Sequence, residues 1–135
     1  SLRGTHMGVD ARRALSLRGL HAYFDAVSAT GLGSDDKLRG IAETFSDDAE
    51  VIHPDGSIGR GHSGVVEFYG SPQSPVMKLP DFVPTPNEKT MSFSADGSTI
   101  AVEISLPLVG GNTTQVGDFF SFDECGKIRR IRIYQ

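Results

Sequence analysis

The sequence predicts an α+β fold, with helices first and strands after. Apolar residues recur at three- and four-residue steps only in the first half of the chain, strict two-residue alternation dominates the last third, and the turn signals Asp96-Gly97, Gly110-Gly111 and Cys125-Gly126 divide that third into strands. A first helix is expected from Asp10, a capping residue, to about Thr30. In it Leu17, Leu20, Phe24 and Val27 form the apolar stripe, Tyr23 lies beside it, and Gly31 supplies the stop. Ser34 or Asp35 opens a second helix whose face is Leu38, Ile41, Ala42 and Phe45, with Asp47-Asp48 at its end. Ala49 to His53 reads as a strand with Ala49, Val51 and His53 on one side, and Pro54-Asp55-Gly56 as a turn. Val65, Val66, Phe68 and Tyr69 mark a third helix from about His62 to Gly70, and the Pro-rich stretch Ser71 to Pro86 is a long connection of the kind that serves as a lid. Strands then run over Thr90 to Ala95, Ser98 to Leu108, Thr113 to Asp123 and Lys127 to Tyr134, joined as an antiparallel meander.

Composition narrows the function. The 135 residues are 38% hydrophobic, 22% charged and 8% aromatic, which suits one compact domain; it is expected over residues 7–135, because Ser1 to His6 read as an expression scar before Met7. A net charge of −4 offers little to a phosphate backbone, so nucleic acid is excluded as a partner. No apolar run is long enough for a membrane span, so no membrane partner is expected. A lone cysteine, Cys125, rules out an internal disulfide and suits a reducing cytoplasm.

The most informative position is Asp118, because alternation sets Thr114, Val116, Asp118, Phe120 and Phe122 on one face of a strand. If that face is the concave one, desolvation raises the carboxyl pKa and makes Asp118 a proton shuttle or a neutral hydrogen-bond donor. The competing reading turns Thr114, Val116 and Asp118 to solvent and the two phenylalanines to an oligomer surface. The same parity points His53 inward, where an imidazole could exchange protons at neutral pH or serve as a satisfied structural group. Tyr23 could bring a phenol into the same cavity or sit as an amphipathic tyrosine at the core's edge. One acid, one imidazole and one phenol thus converge from separate segments.

Other signals carry less. Gly59-Arg60-Gly61-His62-Ser63-Gly64 matches the dinucleotide-binding glycine pattern, but a Pro-rich connection follows where a βαβ unit needs a second parallel strand. Val65 stands where a nucleophile elbow needs its second glycine. The histidines never pair at metal-ligand spacing, Cys125 lies among acidic neighbours, and Arg129, Arg130 and Arg132 read as a solubilising edge.

Several strings resemble the ketosteroid isomerase and SnoaL-like branch of the nuclear transport factor 2-like superfamily. Gly117-Asp118-Phe119-Phe120-Ser121-Phe122-Asp123-Glu124-Cys125-Gly126-Lys127-Ile128 is similar to its D-x-x-x-F-D-x-x-G-[KR]-I strand-turn-strand. Phe45 to Val51 resembles its F-x-D-D-A-x-[VW] segment, and Gly61 to Tyr69 its G-x-x-x-[IV]-x-x-F-Y helix. The resemblance spans roughly Leu17 to Tyr134. It implies a cone-shaped, curved, mixed or antiparallel sheet wrapped around three N-terminal helices, the cystatin-like architecture. Tyr23 and Asp118 match the family's oxyanion-hole tyrosine and protonated aspartate, and Tyr69 matches a supporting tyrosine. His53 stands where isomerases carry an aspartate base, and Phe45 replaces a second network tyrosine. With Asp118, His53 and Tyr23 as working groups, and Tyr69, Val116, Phe120, Val102 and Phe68 around the ligand, the expectation is proton transfer next to the carbonyl of an apolar molecule. A SnoaL-like polyketide cyclase or dehydratase is the alternative, with Asp118 itself as acid/base, and a non-catalytic ligand-binding or dimerising module is the reading from another class. No cofactor or metal is implied, and a homodimer through the sheet is expected from the resemblance.

Overall fold

The computed structural model describes residues 7–135; the Ser1 to His6 segment lies outside the described residues. Helices α1 (Val9–Ser28) and α2 (Ser34–Ala42) precede strand β1 (Phe45–Ile52). A short strand β2 (Ile58–Arg60) leads into α3 (Gly61–Tyr69) and α4 (Pro75–Lys78). Strands β3 (Thr85–Pro86), β4 (Ser92–Phe93), β5 (Thr99–Pro107), β6 (Thr113–Phe122) and β7 (Ile128–Tyr134) complete the chain. The seven strands form one curved, unclosed sheet of order β2-β1-β7-β6-β5-β3, with β4 also paired to β5, and the helices cover its concave face.

The α+β expectation holds, and several boundaries move for identifiable reasons. Helix α1 starts at Val9 after Gly8, which has no side chain to cap it, and Asp10 sits in the first turn, where its charge favours the helix dipole. Asp47 and Asp48 do not end α2; they lie exposed in β1, where the register against β7 slips between Phe45 and Glu50. Phe45 likewise belongs to β1. β1 pairs parallel with β7, so the sheet is mixed. The Thr90 to Ala95 strand contracts to Ser92–Phe93. The Pro-rich connection contains α4, started by the Ser74 hydroxyl accepting from the Val76 amide with Pro75 at the first helical position, and the edge strand β3.

Alternation builds the core. Ile100, Val102 and Ile104 of β5 face inward opposite Phe120, Asp118 and Val116 of β6, and Phe120 in turn pairs with Ile131 of β7. Leu20, Tyr23, Phe24 and Val27 of α1 meet this face as a stripe at three- and four-residue spacing. The other end of α1 is fixed more tightly. The buried Ser16 hydroxyl donates to the Gly97 carbonyl at 2.7 Å, and Gly19 lets the helix backbone approach the β6–β7 turn. A Cβ at position 19 would come within 2.3 Å of the Gly126 carbonyl oxygen and 2.8 Å of the Phe122 ring. Ala is the better helix former by about 1 kcal/mol, yet the overpacking dominates. Gly19→Ala is therefore expected to lower unfolding free energy by about 1 to 3 kcal/mol in urea titrations; a stabilised variant would contradict this account of the α1 seat.

Candidate functional site

Asp118 sits on the concave face, 6% exposed, with its Oδ1 buried and without a hydrogen-bond partner. Val102 faces it from β5 and Ile133 from β7, so no neighbouring strand offers a donor. The solvent-facing alternative does not apply: Val116 and Phe120 are buried with it on the same strand face. Burial alone pushes the carboxyl pKa from its ordinary value near 3.8 up to about 7, because ionisation would strand a charge in an apolar wall.

Two phenols approach from the helical side. Tyr23 of α1 and Tyr69 of α3 share a hydrogen bond of 2.5 Å between their hydroxyls, and both side chains are buried. Tyr23 is locked edge-on against Phe120 and Phe24, each with ring centroids 5.1 Å away. Burial raises the Tyr23 pKa well above its ordinary value, with the nearby Tyr69 and Asp118 adding to it. Burial also raises that of Tyr69, the Tyr23 hydrogen bond offsetting part of the effect while Asp118 adds to it. Both phenols therefore remain hydroxyls through neutrality, able to donate to a ligand oxygen.

His53 lies one residue beyond β1, half-buried, with its ring edge-to-face on Phe68 at 4.7 Å. Its backbone amide donates to the Ser57 carbonyl, which closes the tight turn after β1. The register fixes its height. Val51 pairs with Ile131 and Ile52 with Arg132, so the next step along β1 and β7 sets His53 level with Ile133, itself paired with Asp118. The two residues therefore stand two strand spacings apart across the concave face, roughly 10 Å between backbones.

These groups line one cavity of about 920 Å³, at the upper end of the range for small-molecule sites. Tyr23, His53, Phe68, Tyr69, Val116 and Asp118, all expected from the sequence, contribute to its wall. Val102 and Phe120 are buried deeper in the core, and Phe120 acts on the site by bracing Tyr23. The sequence reasoning missed part of the wall: Ile104, Leu106 and Ile133 from the sheet, and Val76 from the Pro-rich connection, whose Phe82 lines the cavity as a lid there would. Alternation in β5 already implied Ile104 and Leu106. The polar mouth was missed as well. Ser57 and Arg60 border it from β2 and its approach, and Ser63 and Glu67 from α3. A three-residue strand is too short to leave a periodic signal. Among the described residues, no group of three or more His, Cys, Asp or Glu side chains is placed to hold a metal ion, and no helix is long and apolar enough to cross a membrane.

A curved sheet closed over by helices, with a buried acid and two phenols in the hollow, defines a class of small α+β cone proteins. The fold is that of SnoaL-like and nuclear transport factor 2-like proteins. An Agrobacterium tumefaciens protein of the SnoaL-like family superposes with a TM-score of 0.67 at 14% identity, over 90% of this chain and 97% of that one. The epoxide hydrolase/cyclase-like enzyme SalBIII, with a role in pyran ring formation in the polyether salinomycin, gives 0.66 at 17% identity over 88% of each chain. RV0760c from Mycobacterium tuberculosis, solved in complex with estradiol-17beta-hemisuccinate, gives 0.65 at 19% identity over 90% of this chain and 93% of that one. No protein-family model and no curated protein sequence matches the chain.

The raised pKa of Asp118 makes stability depend on pH. A carboxyl that holds its proton more tightly folded than unfolded adds stability that is complete below about pH 4 and is lost as pH rises through about 7. The full difference is on the order of 4 kcal/mol. Asp118→Asn keeps the shape and removes the proton, so the gap in urea midpoint between the two proteins should change across pH 4 to 8. Comparing the two cancels the exposed carboxylates Asp55 and Asp96, whose pKa values are lowered by hydrogen bonds from Ser57 and Ser98. A pH-independent gap would show that Asp118 is not desolvated in solution.

Proposed function

We propose that the chain is an acid/base enzyme acting on an apolar carbonyl compound held in the cone cavity, in the manner of ketosteroid isomerases. The observation that carries this reading is the Asp118 carboxyl, unpartnered and desolvated in an otherwise apolar wall beside the Tyr23–Tyr69 pair. Such a group is costly to keep without a ligand to satisfy it. The likenesses to SalBIII, an enzyme, and to RV0760c, a protein that binds a steroid ester, support a small organic ligand.

In this mechanism the ligand carbonyl oxygen accepts hydrogen bonds from protonated Asp118 and from a phenol of the tyrosine pair. The His53 imidazole removes a proton from the adjacent carbon, the electron pair moves onto the oxygen, and the two donors stabilise the enolate. His53 then returns the proton at another carbon of the conjugated system, so no cofactor is consumed. A spacing of roughly 10 Å between the backbones carrying base and donor leaves room for a carbonyl and its neighbouring carbon between the two side chains. The second reading follows from His53 itself, which stands where the isomerase pattern has a carboxylate: Asp118 serves alone as acid/base in a cyclase or dehydratase. The chain is also proposed to pair through the outer sheet face, where Phe119 and Tyr134 lie exposed with ring centroids 5.6 Å apart.

The test is the ultraviolet assay for conversion of a β,γ-unsaturated 3-ketosteroid into its conjugated enone. Tyr23→Phe is expected to lower kcat by about 10² to 10³, the usual cost of one oxyanion donor. His53→Ala should lower it further. Turnover indifferent to both substitutions would overturn the assignment, and tight steroid binding without turnover would leave a binding protein in its place.

A further inference from the structure

With Asp118 ionised, the cavity wall carries two carboxylates, Asp118 and Glu67, against one guanidinium, Arg60. Asp118 closes the floor with no cationic partner among the described residues, and Glu67 borders the mouth, likewise without one. Arg60, the cation at the mouth, is committed to Glu50 at 2.6 Å, and Glu50 is held a second time by Arg130 at 3.2 Å. The chain as a whole carries a net charge of −4. A positively charged ligand is therefore drawn toward this cavity, an anionic one repelled. The wall adds a second attraction: Tyr23, Phe24, Phe68, Tyr69 and Phe82 all contribute to it, and the face of an aromatic ring favours a cation.

A buried carboxyl with no protein donor can be satisfied in two ways. It keeps its proton and donates to an oxygen, or it releases the proton and faces a cation that no residue of the chain supplies. We infer that the cavity also takes protonated amines with an apolar body, the ammonium set against the Asp118 carboxylate and the tyrosine hydroxyl oxygens, the hydrocarbon against Ile104, Leu106 and Val116. The Tyr23–Tyr69 pair suits this ligand because its oxygens retain lone pairs that accept N–H as readily as one O–H donates to a carbonyl. This second ligand class rests on the reading of the cavity as a small-molecule site and reverses the polarity of its floor.

The groups facing Asp118 are Tyr23 from α1, Tyr69 from α3, Val102 from β5 and Ile133 from β7, with His53 beyond Ile133 at the end of β1. The phenols stay protonated, and burial brings the titration of Asp118 up to about 7. Its ionisation favours an ammonium as pH rises, and the Asp118→Asn variant isolates that effect.

Calorimetric titration of a matched steroid pair, 5α-androstan-3-one and 3α-amino-5α-androstane, tests the inference. Amine affinity is expected to rise about tenfold from pH 6 to pH 8, as a carboxyl titrating at about 7 goes from mostly neutral to mostly ionised, while ketone affinity does not rise. Asp118→Asn should weaken amine binding at pH 8 by about tenfold or more, with an unchanged circular dichroism spectrum showing that the variant is folded. Ketone binding without amine binding, or amine binding equal in the two proteins, overturns the inference and leaves the carbonyl reading standing. Amine binding that depends on Asp118, with no ketone binding, does the reverse. Binding of neither probe overturns both.

Discussion

The burial of one carboxyl on β6 is the constraint around which the rest of the molecule is arranged. The two-residue period of a strand leaves Asp118 no choice of face once Val116 and Phe120 are committed to the core. Phe120 is fully buried, stacks with Phe122 at 6.2 Å and braces Tyr23, so its position cannot be given up to bring Asp118 out to water. The apolar packing of the concave face thus holds a polar group in an environment that the group alone would avoid. Each additional buried ring strengthens the desolvation that keeps Asp118 protonated.

The parallel pairing of β1 with β7 supplies the second half of the site. It sets the end of β1 at the height of Asp118, and the Pro54-Asp55-Gly56 turn, with Gly56 at a φ of 89°, folds the chain back immediately after His53. Within the turn, Asp55 accepts from the Ser57 amide and hydroxyl at 2.9 and 2.7 Å, which fixes the loop without a contribution from the core. The imidazole is therefore held by a short rigid turn on one side and by Phe68 on the other. Such a mounting suits the approach to a substrate carbon proposed for His53.

Most of this was legible in the sequence wherever a single strand or helix decided the outcome. Alternation in β6 placed Asp118, parity in β1 placed His53, and the Leu20–Phe24–Val27 stripe with its neighbour Tyr23 placed the phenol. What was not legible depended on partners distant in sequence. Asp47 and Asp48 look like the end of a helix because acidic residues stop one, and only the slipped register against β7 reveals them as an irregular strand. β2 and β3 exist because β1 and β5 offer them unpaired edges, and neither is long enough to show a period of its own. The first turn of α4 is the opposite case. Ser74-Pro75 is a local start signal that the surrounding prolines obscured.

The imidazole at position 53 also alters the electrostatics that Asp118 experiences. A carboxylate base there, if its charge kept the backbone spacing of roughly 10 Å from Asp118, would oppose its ionisation by about 1.5 kcal/mol at an effective dielectric constant of about 20. Burial is the cause of the raised Asp118 pKa, with no charge–charge contribution beside it. In the proposed mechanism the imidazole accepts a proton, the interaction changes sign, and the imidazolium attracts the negative charge developing on the ligand oxygen as well as any charge on Asp118. An imidazole in place of a carboxylate would therefore leave less like-charge strain before proton transfer and give the proton-transferred state an ion pair across the cavity. A base that starts neutral and ends positive would suit a site whose donors, Tyr23, Tyr69 and the protonated form of Asp118, are neutral when they meet the carbonyl. The whole constellation can then be desolvated before reaction with no net buried charge.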